Sequence, residues 1–279
     1  MGAFLVAVIA IGYATSWYLG DPSILYIAVV FALVMNIGSY WFSDKLVLSM
    51  TGAKPVEYKD APELYRIVEN LAITAGLPMP KLYIVSDPSP NAFATGRDPE
   101  HAVIAVTSGL LQILDKNELE GVIAHEMAHI GNRDMLIMTV AVVLAGFVAV
   151  VADMLSRSMM YGDGKDRSPI FLVLGIVGII LAPLAAKMIQ LAISRKREYL
   201  ADATGALLTR YPEGLASALQ KISTNHQPLQ RVSHATAHLF IADPYSDSDE
   251  MTIGKRINNL FATHPPVETR IQLLRDMDK

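Results

Sequence analysis

Residues 125–129 read His-Glu-Met-Ala-His. On a helix, residues four apart stand one above the other on one face, so His125 and His129 can reach a single ion. Glu126, rotated by about 100° from His125, sits beside the open coordination position and can take a proton from metal-bound water. Imidazole nitrogen suits Zn²⁺, and an open site with bound water of lowered pKa supplies a nucleophile at neutral pH. With 7 His in 279 residues, this pattern arises by chance with a probability of about 0.01. The chemistry it points to is metal-assisted hydrolysis, with one zinc ion per chain and Glu126 as general base.

A catalytic zinc site needs a third protein ligand, from His or a carboxylate. Glu198 and Asp202 stand at i, i+4 in the segment SRKREYLAD at 194–202. One could ligate while the other accepts the N–H of a ligand histidine and fixes its orientation. Alone, such a pair reads as surface salt bridging with Arg195 or Arg197; beside the His-Glu-x-x-His segment, the ligand reading is preferred. His234 and His238 repeat the i, i+4 spacing in a polar segment without a Glu between them, and read as loop residues. His101 and His226 have no partner that the sequence identifies.

The elements that must hold these residues come from two materials. Charged residues make up 18% of the chain, against roughly 25% in an ordinary soluble domain. Residues 1–20, 22–43, 135–152 and 168–186 carry no charge at all. Each run approaches the roughly 20 apolar residues that cross a bilayer. The expected fold is therefore an α-rich integral membrane protein with about four transmembrane helices and an α+β soluble part. Its segments are an N-terminal hairpin at 1–50, a soluble part at 51–134 containing the metal helix, a second hairpin at 135–190, and a soluble part at 191–279. Lys45, Lys54, Arg133, Lys187, Arg195, Lys196 and Arg197 flank the spans on one side, so both soluble parts are expected to be cytoplasmic, on a multi-pass protein of the cell membrane. Net charge −4 without a basic run argues against a nucleic-acid partner. The absence of Cys excludes a disulfide-stapled module.

Within the soluble part, Pro62 opens an apolar helical pattern (Leu64, Ile67, Val68, Leu71, Ala72) that stops at Gly76. KLYIV at 81–85 reads as a strand, and NAFAT at 91–95 with AVIAV at 102–106 as a hairpin. Asp115 with Glu118 marks a capping box ahead of the metal helix. After residue 187 strong helix formers run on to Leu208, predicting one uninterrupted helix. Leu215, Leu219 and Ile222 begin another, and 270–277 is amphipathic.

NAFATG at 91–96, VTSGLL at 106–111, VIAHEMAH at 122–129, SRKREYLAD at 194–202 and THPP at 263–266 together resemble the HtpX family of membrane-bound zinc endopeptidases, and more distantly the CAAX prenyl proteases. The linker at 153–167 is short for that family. The resemblance implies a gluzincin-like protease domain with His125, His129 and Glu198 as ligands, Glu126 as base and Asp202 as orienter. It further implies that Asn91, Ala92, Phe93 and Ala94 form an edge binding substrate backbone, and that His264 stabilises the tetrahedral intermediate. The implied role is quality control: hydrolysis of misfolded or damaged proteins, many of them membrane proteins. By chain length, the zinc would lie within roughly 10–20 Å of the bilayer surface. Two other readings are a processing protease for a dedicated peptide or prenylated substrate, and a non-catalytic scaffold around a structural zinc. A structural site closes with four protein ligands, and only three are found.

Overall fold

The computed structural model describes residues 2–139, 194–225, 241 and 265–277. The expected third and fourth spans fall almost wholly outside these residues, as do His226, His234, His238 and His264. The chain divides into two units, residues 1–43 with 140–189, and residues 44–139 with 190–279.

In the first unit, α1 (Gly2–Leu19) and α2 (Ser23–Trp41) form a hairpin. Gly20 turns the chain at φ 70°, and the Asp21 carboxylate accepts from the Ser23 N–H at 2.9 Å. The helices approach closely where Gly12 faces Ala28. Their outward surface is apolar, with Val6, Trp17, Tyr18, Tyr26, Ile27, Val30, Val34 and Trp41 exposed. Among the described residues no helix is long and apolar enough to cross a membrane. With 18 and 19 residues, α1 and α2 reach only about 27–29 Å at 1.5 Å per residue.

The second unit opens with α3 (Ser43–Thr51), β1 (Lys54–Pro55) and α4 (Pro62–Ala75). As its sequence predicts, α4 has Pro in its first turn, ends at a left-handed Gly76, and buries Leu64, Ile67, Val68, Leu71 and Ala72. Strands β2 (Lys81–Val85), β3 (Ala92–Thr95) and β4 (Val103–Thr107) complete a sheet of order β1-β2-β4-β3. β2 and β4 run parallel while β3 returns antiparallel to β4, leaving β3 at the edge. The β3–β4 turn is shaped by Asp98, whose carboxylate accepts from the His101 N–H and meets the His101 ring. His101 is thus a local turn residue.

α5 (Ser108–Ile113) leads into α6 (Lys116–Gly131), the metal helix. Its capping box forms, with Asp115 accepting from Asn117 and Glu118 N–H and Glu118 accepting from the Asp115 N–H. Glu118 does more than the capping pattern predicts, because it also accepts from Ser217 at 2.6 Å and Lys221 at 2.7 Å. Those residues belong to α8 (Pro212–Thr224), so one carboxylate caps α6 and ties α8 to it.

Two glycines let α6 meet its neighbours closely. A Cβ on Gly121 would stand 2.6 Å from Leu215 N, which is backbone of α8 and cannot swing aside. Gly121→Ala should therefore lower stability by about 1–3 kcal/mol, the usual cost of overpacking, read as a lower thermal midpoint of the detergent-solubilised chain. The other is Gly205, on α7 (Arg195–Thr209). A Cβ there would lie 3.0 Å from His125 N and 3.2 Å from its Cα.

The uninterrupted helix expected from 187 to 208 is not what forms. Ser194 is extended, at φ −106° and ψ 112°, and its carbonyl accepts from Arg197 and Glu198 N–H. The described helix begins at Arg195, which puts Glu198 in its first turn, where the helix dipole favours a carboxylate. The final helix, α9 (Val267–Asp276), buries Arg270 and Leu274.

Candidate metal centre

His125, Glu126 and His129 are all buried on α6, facing α7, which contributes Glu198 and Asp202, also buried. One ligand atom from each of His125, His129 and Glu198 lies within 4.8 Å of the others. The two Nε2 atoms are 3.2 Å apart. Glu198 Oε2 is 3.7 Å from His125 Nε2, and Oε1 is 3.5 Å from His129 Nε2.

Each histidine also turns its other nitrogen to an aspartate. His125 Nδ1 is 2.9 Å from Asp202 Oδ1, close enough for a hydrogen bond although the ring is rotated off the best line. His129 Nδ1 is 3.2 Å from Asp134 Oδ2. Protons placed on both Nδ1 atoms leave both Nε2 atoms as bare lone pairs. Two lone pairs and a buried carboxylate then converge on one point, an arrangement that calls for a cation. Tetrahedral zinc with Zn–N bonds near 2.05 Å holds its nitrogens about 3.4 Å apart, close to these separations. The donor set fits a metal ion, and the fourth direction is left to a water or substrate oxygen.

Behind the aspartates stand two arginines. Arg270 donates to Asp202 through Nε at 2.8 Å and Nη2 at 2.7 Å, while Arg197 Nε lies 3.4 Å from Asp134 Oδ1. Burial would raise the Asp202 pKa, but Arg270 and the contact with His125 outweigh it and hold it at about 2. Burial likewise disfavours a charged His129. Against it act the Asp134 hydrogen bond and the charges of Glu198, Glu126 and Asp134, which together raise its pKa above the ordinary 6.5. A metal must displace that proton. Metal affinity should therefore keep strengthening with pH past the point, about one unit above 6.5, at which an unperturbed imidazole levels off. Competition titrations against a chelator across neutral pH check this.

Ala92, Phe93 and Ala94 lie in the edge strand and Asn91 immediately precedes it, and all four are buried. The Asn91 carbonyl accepts from the Thr107 N–H, so by the alternation of an antiparallel ladder the backbone groups of Ala92 and Ala94 point away from β4. The Ala92 carbonyl already accepts from the Ile241 N–H at 3.2 Å, and the Ile241 carbonyl in turn accepts from Arg270 Nη1 at 3.3 Å. Asp134 and Arg270 were not among the sequence candidates. Asp134 lies beyond the end of the metal helix, and Arg270 reads as the polar face of an amphipathic tail.

The profile of peptidase family M48 matches residues 58–278. The chain belongs to this family. It is 50% identical over 283 residues to "Protease HtpX homolog" of Syntrophobacter fumaroxidans, covering 99% of this chain and 96% of that relative. It is 51% identical over 277 residues to the protein of the same name from Pyrococcus furiosus, covering 98% and 92%. The crystal structure of S. mikatae Ste24p shares the fold at TM-score 0.53 and 19% identity, covering 98% of this chain. This chain spans only 62% of Ste24p's length. This M48 peptidase of the HtpX kind is therefore a metalloprotease, and polypeptides are its substrates.

Proposed function

We propose that the chain is a zinc endopeptidase that cleaves misfolded or damaged proteins, membrane proteins among them, at the cytoplasmic face of the cell membrane. The observation that carries the reading is the convergence of His125 Nε2, His129 Nε2 and a Glu198 carboxylate oxygen, with Glu126 buried on the same helix. Zinc bound there supplies a Lewis acid for the scissile carbonyl and makes water acidic enough to be deprotonated near neutral pH. Glu126 takes the proton from the attacking water and returns it to the leaving amine. Asp202 keeps the His125 ring in the tautomer that offers Nε2. Substrate backbone pairs with the outward groups of Ala92 and Ala94 as an added strand, displacing the Ile241 N–H from the Ala92 carbonyl, a mode that reads main chain and tolerates many sequences. The Asn91 carbonyl and Phe93 hold that strand to β4. His264, which lies outside the described residues, supports the oxyanion; this role rests on the family resemblance alone.

The α1–α2 hairpin supports a membrane location, since it carries no charge except at its turn and displays aromatic and branched aliphatic side chains outward. Such a surface, costly in water, is at home in lipid.

The test is cleavage of an unfolded model protein by the detergent-purified chain. Activity should disappear with a zinc chelator and return with added zinc. Undiminished cleavage in chelator would overturn the metal reading, and zinc-bound protein that cleaves no unfolded substrate would favour a scaffold.

A further inference from the structure

We infer that Asp134 is a positioning residue for the metal centre, holding His129 as Asp202 holds His125. The inference rests on the proposed metal-binding reading of the site. α6 ends at Gly131 with Asn132 as its C-cap. Arg133 then adopts the left-handed conformation at φ 59°, which a side chain bearing a Cβ seldom takes. That turn interrupts the helix, and residues 134–139 are helical again. Its effect is to bring Asp134 against a ring five positions earlier, with Oδ2 3.2 Å from His129 Nδ1.

The Asp134 side chain is 7% exposed, and leaving water has a cost that a buried carboxylate must recover through partners. Its partners are a ligand histidine on one oxygen and Arg197 on the other. Arg197 immediately precedes Glu198, so the residue beside the third ligand is joined to the carboxylate that holds the second. His129 thus has its donor nitrogen fixed on Asp134 and its lone-pair nitrogen aimed at Glu198 and His125. Each ligand histidine has its own carboxylate and arginine behind it: Asp202 with Arg270, and Asp134 with Arg197. Outer carboxylates of this kind fix tautomer and raise ligand basicity, and their loss typically weakens metal binding about 10–100-fold.

The experiment uses the full chain in detergent, with Asp134→Ala and Asp134→Asn compared with wild type and with His125→Ala. Zinc Kd is read by chelator competition, the metal-free melting temperature is read separately, and the cobalt-substituted proteins give a spectrum of the ligand field. Asp134→Ala should weaken zinc about 10–100-fold and alter the cobalt spectrum. Asp134→Asn, which keeps an acceptor oxygen without its charge, should fall between Asp134→Ala and wild type. A purely structural Asp134 would lower the metal-free melting temperature while leaving zinc Kd and the cobalt spectrum at wild-type values. Wild-type affinity and spectrum in whichever variants fold would overturn the inference. Failure of the wild type to bind zinc more tightly than His125→Ala would instead overturn the metal reading itself.

Discussion

Glu126→Gln should lower kcat by at least about 100-fold, and up to about 10,000-fold, the range that a positioned general base contributes. Gln matches Glu in size and shape but cannot accept a proton at neutral pH. Glu126 is not among the three groups whose ligand atoms converge, so one metal ion per chain should remain bound. The informative result is this split, near-complete loss of turnover with metal content unchanged. The measurement pairs cleavage of an unfolded protein with metal analysis of the same preparation. A variant that still cleaves within a few-fold of wild type would remove Glu126 from the mechanism. One that loses both activity and metal would show that Glu126 holds the site together rather than moving protons.

Arg270→Met should cost about 3–5 kcal/mol, the penalty for leaving one member of a buried ion pair without its partner. Arg270 is 2% exposed and meets both oxygens of Asp202 at 2.8 and 2.7 Å. Met fills much of the volume, so the loss is electrostatic rather than a cavity. With Arg270 gone, the Asp202 pKa should climb from about 2, because the cation that overcomes its burial is missing. In the wild type, stability from the ionised carboxylate is complete above the unfolded value of 3.8 and is lost as pH falls through about 2. In the variant that loss should begin at higher pH. Thermal melts in detergent over a pH series read both effects. Adding Asp202→Asn to Arg270→Met should recover part of the loss, since an amide is far cheaper to bury than an unpaired carboxylate.

How much of this could be read from the sequence depended on chain distance. His125, Glu126 and His129 were legible because helical periodicity alone puts the two histidines on one face. Glu198 and Asp202 were legible as a pair, but their separate contacts come from how α7 crosses α6, which no local pattern encodes. The hairpin of β3 and β4 and the Asp115 capping box are short-range features, and both form. The helix start at Ser194 is hidden in the sequence because strong helix formers stand on both sides of it, and its side chain makes no capping hydrogen bond. Asp134 was out of reach because its place depends on a left-handed Arg133, and nothing marks a non-glycine residue for that conformation. Arg270 lies 68 positions from Asp202, and only the finished fold makes them partners.

The contact at Gly205 bears on which ions the site will accept. α7 touches the main chain of His125 itself, so the spacing of the two helices beside the site is set by backbones in contact, not by side chains that could repack. Such a gauge has little give. A larger ion such as cadmium would have to be taken up by rotation of the His125, His129 and Glu198 side chains alone, whereas cobalt, close to zinc in size, would enter without that adjustment.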